Sequence, residues 1–300
     1  MNITKTAMVT ICGRPNVGKS TLTNALLGEK IAIVSSKPQT TRNRITAVVE
    51  RGDIQFVFMD TPGYHKPRNR LGDYMVGVVR ESVSDVDAVM LLVEPVPNIG
   101  PQEKALLESI KNGGVPAVLV INKIDTVEPA SLLEVMALYG KEYEFDAIIP
   151  ISAQNGDGVE ELLSELEKYA AEGPALFPEG MVTDQPEKQV VAELIREKLL
   201  ECLDREVPHG TAVEITKFSE RDAMNGEPVI DVEATIYCEK ASHKGIIIGK
   251  GGAMLKKIGA MAREDIEDFM GTRVFLQTWV KVKENWRDSQ AQLRNFGFRE

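Results

Sequence analysis

Five short runs, Ala7–Cys12, Ile54–Met59, Ala88–Val93, Ala117–Ile121 and Ala147–Ile151, are apolar on both faces. A strand of that kind must be covered on both sides, which requires a mostly parallel sheet flanked by helices. Stretches with helical spacing lie between them: Lys19–Leu27, Leu71–Ser84, Gln102–Asn112, Ala130–Tyr143 and Val159–Glu172. Ala47–Glu50 fits an extra edge strand beside Ile54–Met59. The rhythm changes after Tyr169, where Gly173–Gly180 is rich in helix and strand breakers. A helix at Glu187–Leu203 follows, then strands at Ala212–Ser219 and Val229–Cys238. A Gly-rich turn at Gly249–Gly252, a helix at Ala253–Met270 and a strand at Arg273–Lys283 complete the pattern. The expected organisation is an α/β domain over 1–172, a linker over 173–186 and a smaller α+β domain over 187–300.

A length of 300 residues accommodates two such domains. The three cysteines, Cys12, Cys202 and Cys238, are odd in number and far apart, which argues against a disulfide framework or a CxxC metal site and fits a reducing cytosol. Met1–Thr6 lacks the pattern of a signal or transit peptide, and no apolar run nears the ~20 residues that span a bilayer. The net charge of −10 argues against a general nucleic-acid coat protein.

Gly13-Arg14-Pro15-Asn16-Val17-Gly18-Lys19-Ser20, followed by Thr21, matches the phosphate-loop pattern G-x-x-x-x-G-K-[ST] between an apolar strand and a helix. Its backbone N–H groups face phosphates at the positive end of that helix. Lys19 is expected on the β- and γ-phosphates and the Ser20 hydroxyl on Mg²⁺. Asp60-Thr61-Pro62-Gly63 ends a strand, with Asp60 expected beside Mg²⁺ and the Gly63 N–H at the γ-phosphate. Asn122-Lys123-Ile124-Asp125 selects the base, because a carboxylate accepts hydrogens that guanine carries and adenine lacks. Asn122 ties this loop to the phosphate loop, and the Lys123 stem covers the base. In Ser152-Ala153-Gln154 the Ala153 N–H is placed to meet the guanine 6-oxo group. Within Ser35–Arg44, either Thr40 or Thr41 supplies a second hydroxyl to Mg²⁺, with Thr41 favoured. That segment and Tyr64–Leu71 are expected to be the two nucleotide-sensing switches.

These motifs, over roughly 7–170, resemble the translation-factor-like branch of phosphate-loop GTPases. Catalysis is expected from positioning and charge neutralisation by Lys19, Thr41 and Gly63. Tyr64 stands where Ras-type enzymes place a water-orienting Gln, so intrinsic hydrolysis is expected to be slow. His65 is read as a solvated switch residue rather than a base. By resemblance to GTPases with Asn at this loop position, Asn16 is a candidate K⁺ ligand.

In the second domain, Ile246-Ile247-Ile248-Gly249-Lys250-Gly251-Gly252 places a GxxG turn between two helices. Lys244, Lys250, Lys256 and Lys257 surround it, and no acid occurs from Lys244 to Ile258. This resembles the type II K-homology domain, whose GxxG loop clamps about four nucleotides of RNA backbone. Trp279–Lys283 alternates apolar and basic residues on a strand; Trp279 is read as core, and Trp286, Arg287, Arg294 and Arg299 follow.

Taken together and in order, GRPNVGKST, QTTRNRI, DTPG, NKID, SAQNG, IIIGKGG and WVKVKENW are similar to the bacterial Era GTPases over essentially the full length. The resemblance implies a cytoplasmic GTPase that binds the 3′ end of 16S ribosomal RNA during assembly of the small ribosomal subunit, with some peripheral membrane association. No DNA partner is expected. An alternative of another class is a signalling GTPase whose C-terminal domain binds a protein or a membrane surface. A tRNA-modifying GTPase is disfavoured because the C-terminal domain has no catalytic Cys or cofactor constellation.

Overall fold

The computed structural model describes residues 3–223 and 226–298, so Arg299 lies outside the described residues. Contacts divide the chain into two compact units. The first comprises residues 1–32, 41–68 and 72–184; the second comprises 33–40, 69–71 and 185–300.

The first unit alternates strands and helices. β1 (Lys5–Gly13) leads through the phosphate loop into α1 (Lys19–Leu27), which ends at Gly28 in the left-handed conformation. β2 (Ile45–Arg51) and β3 (Ile54–Asp60) form a hairpin, followed by α2 (Arg70–Glu81), β4 (Ala88–Val93) and α3 (Pro101–Gly113). β5 (Ala117–Ile121), α4 (Pro129–Glu142), β6 (Ala147–Pro150), α5 (Val159–Leu166) and a short β7 (Ala171–Glu172) complete the unit. The sheet order is β2-β3-β1-β4-β5-β6. Only β2 and β7 run antiparallel to their neighbours.

Alternate residues of each central strand enter different cores, as two-sided burial demands. Val9, Ile11, Met90, Leu92, Val118 and Val120 pack with α1 and α5. Cys12, Val89, Leu91, Leu119 and Ile121 pack with α2, α3 and α4. Burial pushes the Cys12 thiol up to about 12, so it stays protonated as an ordinary core residue.

One expectation changes here. The helix expected over Val159–Glu172 ends at Leu166 and tightens into one 3-10 turn. Ala171 and Glu172 instead pair with Thr6 and Lys5, where β1 extends beyond the start of β4 and has a vacant ladder edge. Part of the 173–186 linker is fastened to the first unit. Gln55, fully buried on β3, accepts the N–H groups of Leu176 and Phe177 and donates to the Phe177 carbonyl. Val48 N–H donates to Val182 O, so the segment is laid against the first unit through residue 184.

The second unit has α6 (Glu187–Cys202), β8 (Ala212–Asp222), β9 (Pro228–Cys238), α7 (Ala241–Ile248), α8 (Ala253–Met270), β10 (Arg273–Val282) and α9 (Gln290–Asn295). β9 is central, parallel to β10 and antiparallel to β8. Ile230, Val232, Ala234 and Ile236 of β9 share one core with α6, α8 and, from the first half of the sequence, Ile33. Trp279 is not core: it is 43% exposed, while its neighbour Val280 is buried. A strand alternates faces, so Trp279 shares the outward face with Lys281. The buried tryptophan is Trp286, whose Nε1 donates to Gly210 O at 2.9 Å.

Candidate nucleotide site and RNA loop

The phosphate loop is fixed by backbone geometry that only certain residues tolerate. Gly18 has φ +100°, and a Cβ there would lie 2.1 Å from Asn122 Nδ2. Pro15, Asn16 and Thr21 lie at the accessible rim, whereas Val17 is buried. Lys19 is 5% exposed and its Nζ donates to the carbonyls of Arg14 (2.9 Å) and Gly13 (3.3 Å). Burial lowers its pKa, and the Asp60 carboxylate opposes that shift.

Three side chains meet beside Lys19. Ser20 Oγ lies 2.8 Å from Asp60 Oδ2 and 2.8 Å from Thr41 Oγ1. Asp60 is fully buried, and its Oδ1 accepts no hydrogen bond. Burial, the largest influence, raises the Asp60 pKa to about 6, against the opposing pull of Lys19 and the hydrogen bonds from Ser20 and Thr41. One carboxylate and two hydroxyls are an all-oxygen donor set suited to Mg²⁺, which takes few protein ligands when phosphates and water supply the rest. The orphaned Asp60 Oδ1 fits that group. Among the described residues no cluster of three His, Cys, Asp or Glu offers a competing metal site. Thr40 faces elsewhere, with its hydroxyl on Lys37 O at 2.7 Å.

Gly63 follows two buried residues, Thr61 and Pro62, and Tyr64 N–H donates to Gly13 O at 3.1 Å. Tyr64 packs against the core beneath α3 and α4. His65 is half-buried, with Nδ1 3.1 Å from Gly63 O. It is therefore less solvated than expected, and burial lowers its pKa.

Asn122 joins three loops. Its Nδ2 donates to Val17 O (2.8 Å), and its Oδ1 accepts the Ala153 N–H (2.9 Å). The Ala153 N–H, expected at the guanine 6-oxo group, is therefore directed at Asn122. Ser152 Oγ donates to Asp125 Oδ1 at 2.6 Å, which orients the exposed carboxylate at the mouth of the site. Lys123 Nζ reaches Asn16 O (2.7 Å) and Glu94 Oε1 (2.6 Å). Glu94 also accepts from Arg14 at 3.3 Å. Sequence reasoning missed Glu94; the available signal was an acid immediately after β4, the strand beside β1.

The second candidate site is open. Gly249–Gly252 links α7 to α8, and Gly251 (φ +60°) has no atom within 4 Å of where a Cβ would stand. Lys250, Lys256 and Lys257 are exposed, and Lys244 and Ile248 are partly so. The first turn of α8 carries no acid, so the positive helix end and the lysines present one electropositive rim.

Comparison with known proteins bears on both sites. A model described as "50S ribosome-binding GTPase" matches residues 8–123, and a model described as "KH domain" matches residues 206–287. GTPase Era of Alkaliphilus oremlandii is 52% identical, covering 98% of this chain and 99% of its own. The chain belongs to the GTPase Era family. Era of Alkaliphilus metalliredigens is 50% identical over the same shares. Among solved structures, a tyrosine-to-alanine variant of Aquifex aeolicus Era bound to GDP·AlF4⁻ superposes with a TM-score of 0.93 at 36% identity, covering 99% of this chain and all of the other. An Era complex with MgGDPNP and nucleotides 1506–1542 of 16S ribosomal RNA gives a TM-score of 0.94 at 37% identity over the same shares. As an Era-family member the chain is a GTPase: an α/β nucleotide domain with a mostly parallel sheet, followed by a KH domain.

Proposed function

We propose that this Era-family GTPase binds the 3′ end of 16S ribosomal RNA in its GTP state and acts in assembly of the small ribosomal subunit from the cytoplasm. The observation that carries this reading is one chain holding both a phosphate loop with Asp125 oriented by Ser152 and an open, lysine-rimmed Gly249–Gly252 loop. The Era relative solved with MgGDPNP and a 16S fragment supports the pairing of those two ligands.

In this reading Lys19 and the loop N–H groups neutralise the β- and γ-phosphates. Ser20, Thr41 and Asp60 would hold Mg²⁺, which would neutralise negative charge on the phosphates. Gly63 offers its N–H to the γ-phosphate. Asp125 accepts the guanine N1 and 2-amino hydrogens, while Asn122, Lys123, Ser152 and Ala153 hold the loops around it. Tyr64 has no amide to orient water, so turnover rests on electrostatics and is slow. Exposed Asn16, with φ +66°, is a candidate K⁺ ligand beside the phosphates. Faster phosphate release in KCl than in NaCl at equal ionic strength supports that ligand, and equal rates exclude it.

The RNA reading is tested by fluorescence anisotropy with a single strand matching the 16S 3′ end. The protein is titrated with a non-hydrolysable GTP analogue, with GDP, and without nucleotide. Tight binding with the analogue and weaker binding with GDP is expected. Binding indifferent to nucleotide removes the gating, and no binding in any state removes RNA as the ligand.

A further inference from the structure

Arg14 is the second residue of the phosphate loop, and its side chain runs out of the loop to two acids of the same unit. Glu103, in the first turn of α3, is 2% exposed and pairs through Oε1 with Arg14 Nε. Its other oxygen accepts the Gly100 N–H at 3.1 Å and closes the start of the helix. Burying a carboxylate this deeply is costly unless a cation and a hydrogen bond compensate it, and Arg14 and Gly100 supply them. Glu94, directly after β4, is more exposed and divides its oxygens between Arg14 and Lys123. Of these ion pairs, the one to Glu103 is the most deeply buried.

The backbone that Arg14 belongs to sets the position of other groups in the site. The Arg14 carbonyl accepts Lys19 Nζ at 2.9 Å. A Cβ on Gly63 would stand 2.7 Å from Pro15 Cα, so the chain after β3 lies hard against the residue that follows Arg14. Asn16, next again, gives its carbonyl to Lys123 Nζ at 2.7 Å. A peptide plane is rigid, so a side chain anchored at residue 14 limits how far these neighbours shift.

We propose that Glu103 is a positioning residue for the nucleotide site: from the start of α3 it holds the Arg14 side chain, and with it the stretch of phosphate loop against which Lys19 and Gly63 are set. The consequence is that retention of GDP depends on a buried carboxylate of α3 that lies outside every nucleotide motif. This rests on Gly13–Ser20 being the seat of the nucleotide phosphates.

The test measures the rate at which fluorescent GDP leaves the full chain under a chase of unlabelled GDP, together with the thermal transition of the nucleotide-free protein. The variants are Glu103→Gln, Glu103→Ala, Arg14→Met and the Glu103→Gln/Arg14→Met double. Glutamine keeps an acceptor for the Gly100 N–H and removes the charge facing Arg14, so it separates helix capping from loop positioning. Glu103→Gln is expected to speed GDP release about tenfold, and Arg14→Met at least as much. In the Arg14→Met background the Gln change is expected to add less than about twofold, because residues acting through one contact are not additive. GDP release unchanged in Glu103→Gln, whether or not the thermal transition falls, with faster release confined to Glu103→Ala, makes Glu103 a helix cap and overturns the proposal. Full additivity with Arg14→Met overturns it as well. If Glu103→Gln has no cooperative transition, Arg14→Met decides, since unchanged release there leaves Glu103 nothing to act through. A wild-type chain that retains no GDP removes the phosphate-loop reading itself, and the proposal with it.

Discussion

The chain carries two glycine–lysine loops that each lead into a helix N-terminus, and they solve opposite problems. At Gly13–Lys19 the lysine is 5% exposed and tied to loop carbonyls, and Asn122 braces Gly18 from the side. At Gly249–Gly252 nothing lies within 4 Å of the Gly251 and Gly252 Cβ positions, and Lys250, Lys256 and Lys257 reach into solvent. The first arrangement suits one compact anion, held by pre-aligned donors at low dielectric. The second suits a polymer of phosphates, where a flexible rim neutralises charge and an open backbone permits close approach. Helix dipole and glycine are common to both; burial of the lysine is what differs between them.

Four substitutions probe that difference. Lys19→Ala removes a buried cation with no replacement, so phosphate release is expected to fall by at least about 1000-fold while RNA affinity without nucleotide is kept. Loss of RNA affinity in that assay would mean the two loops are not separate sites. Asp125→Asn replaces a double acceptor with an amide, and calorimetry with GDP is expected to show a loss of about 100-fold or more. Gly251→Asp puts an acid on the open rim at a left-handed position. Anisotropy is expected to show RNA binding weakened about 30-fold, with RNA-free hydrolysis unchanged. Glu94→Gln loosens the bridge between Arg14 and Lys123, which is partly solvated, so the GDP dissociation constant is expected to rise only about two- to fivefold.

The strand–helix rhythm and the loops from Gly13, Asp60 and Asn122 are readable because each is contiguous and bounded by a strand of unambiguous polarity. Thr41 is separable from Thr40 only in the structure, where the two hydroxyls point to different partners, Ser20 and Lys37. Glu94 and Gln55 escape because their partners lie 29 and 122 residues away, which local patterns cannot register. Trp279 departs from expectation for a different reason. Its size suggests core, but the two-residue period of the strand already places it with Lys281, and period outranks size on a sheet with one open face. The breakers of 173–186 signal a chain that is neither helix nor strand; they carry no information that Gln55 would bind it down.

One salt titration applied to both ligands decides whether the buried and the open phosphate sites are separate. The dissociation constants for the 16S 3′-end strand and for Mg²⁺–GDP are measured over a range of KCl concentrations, for the wild-type chain and for Lys256→Ala. Separate sites predict a steep log–log slope for RNA that drops by about 0.7 in Lys256→Ala, with the nucleotide curve identical in both proteins. An RNA slope that Lys256→Ala leaves untouched, or a nucleotide curve that moves with it, would contradict that separation.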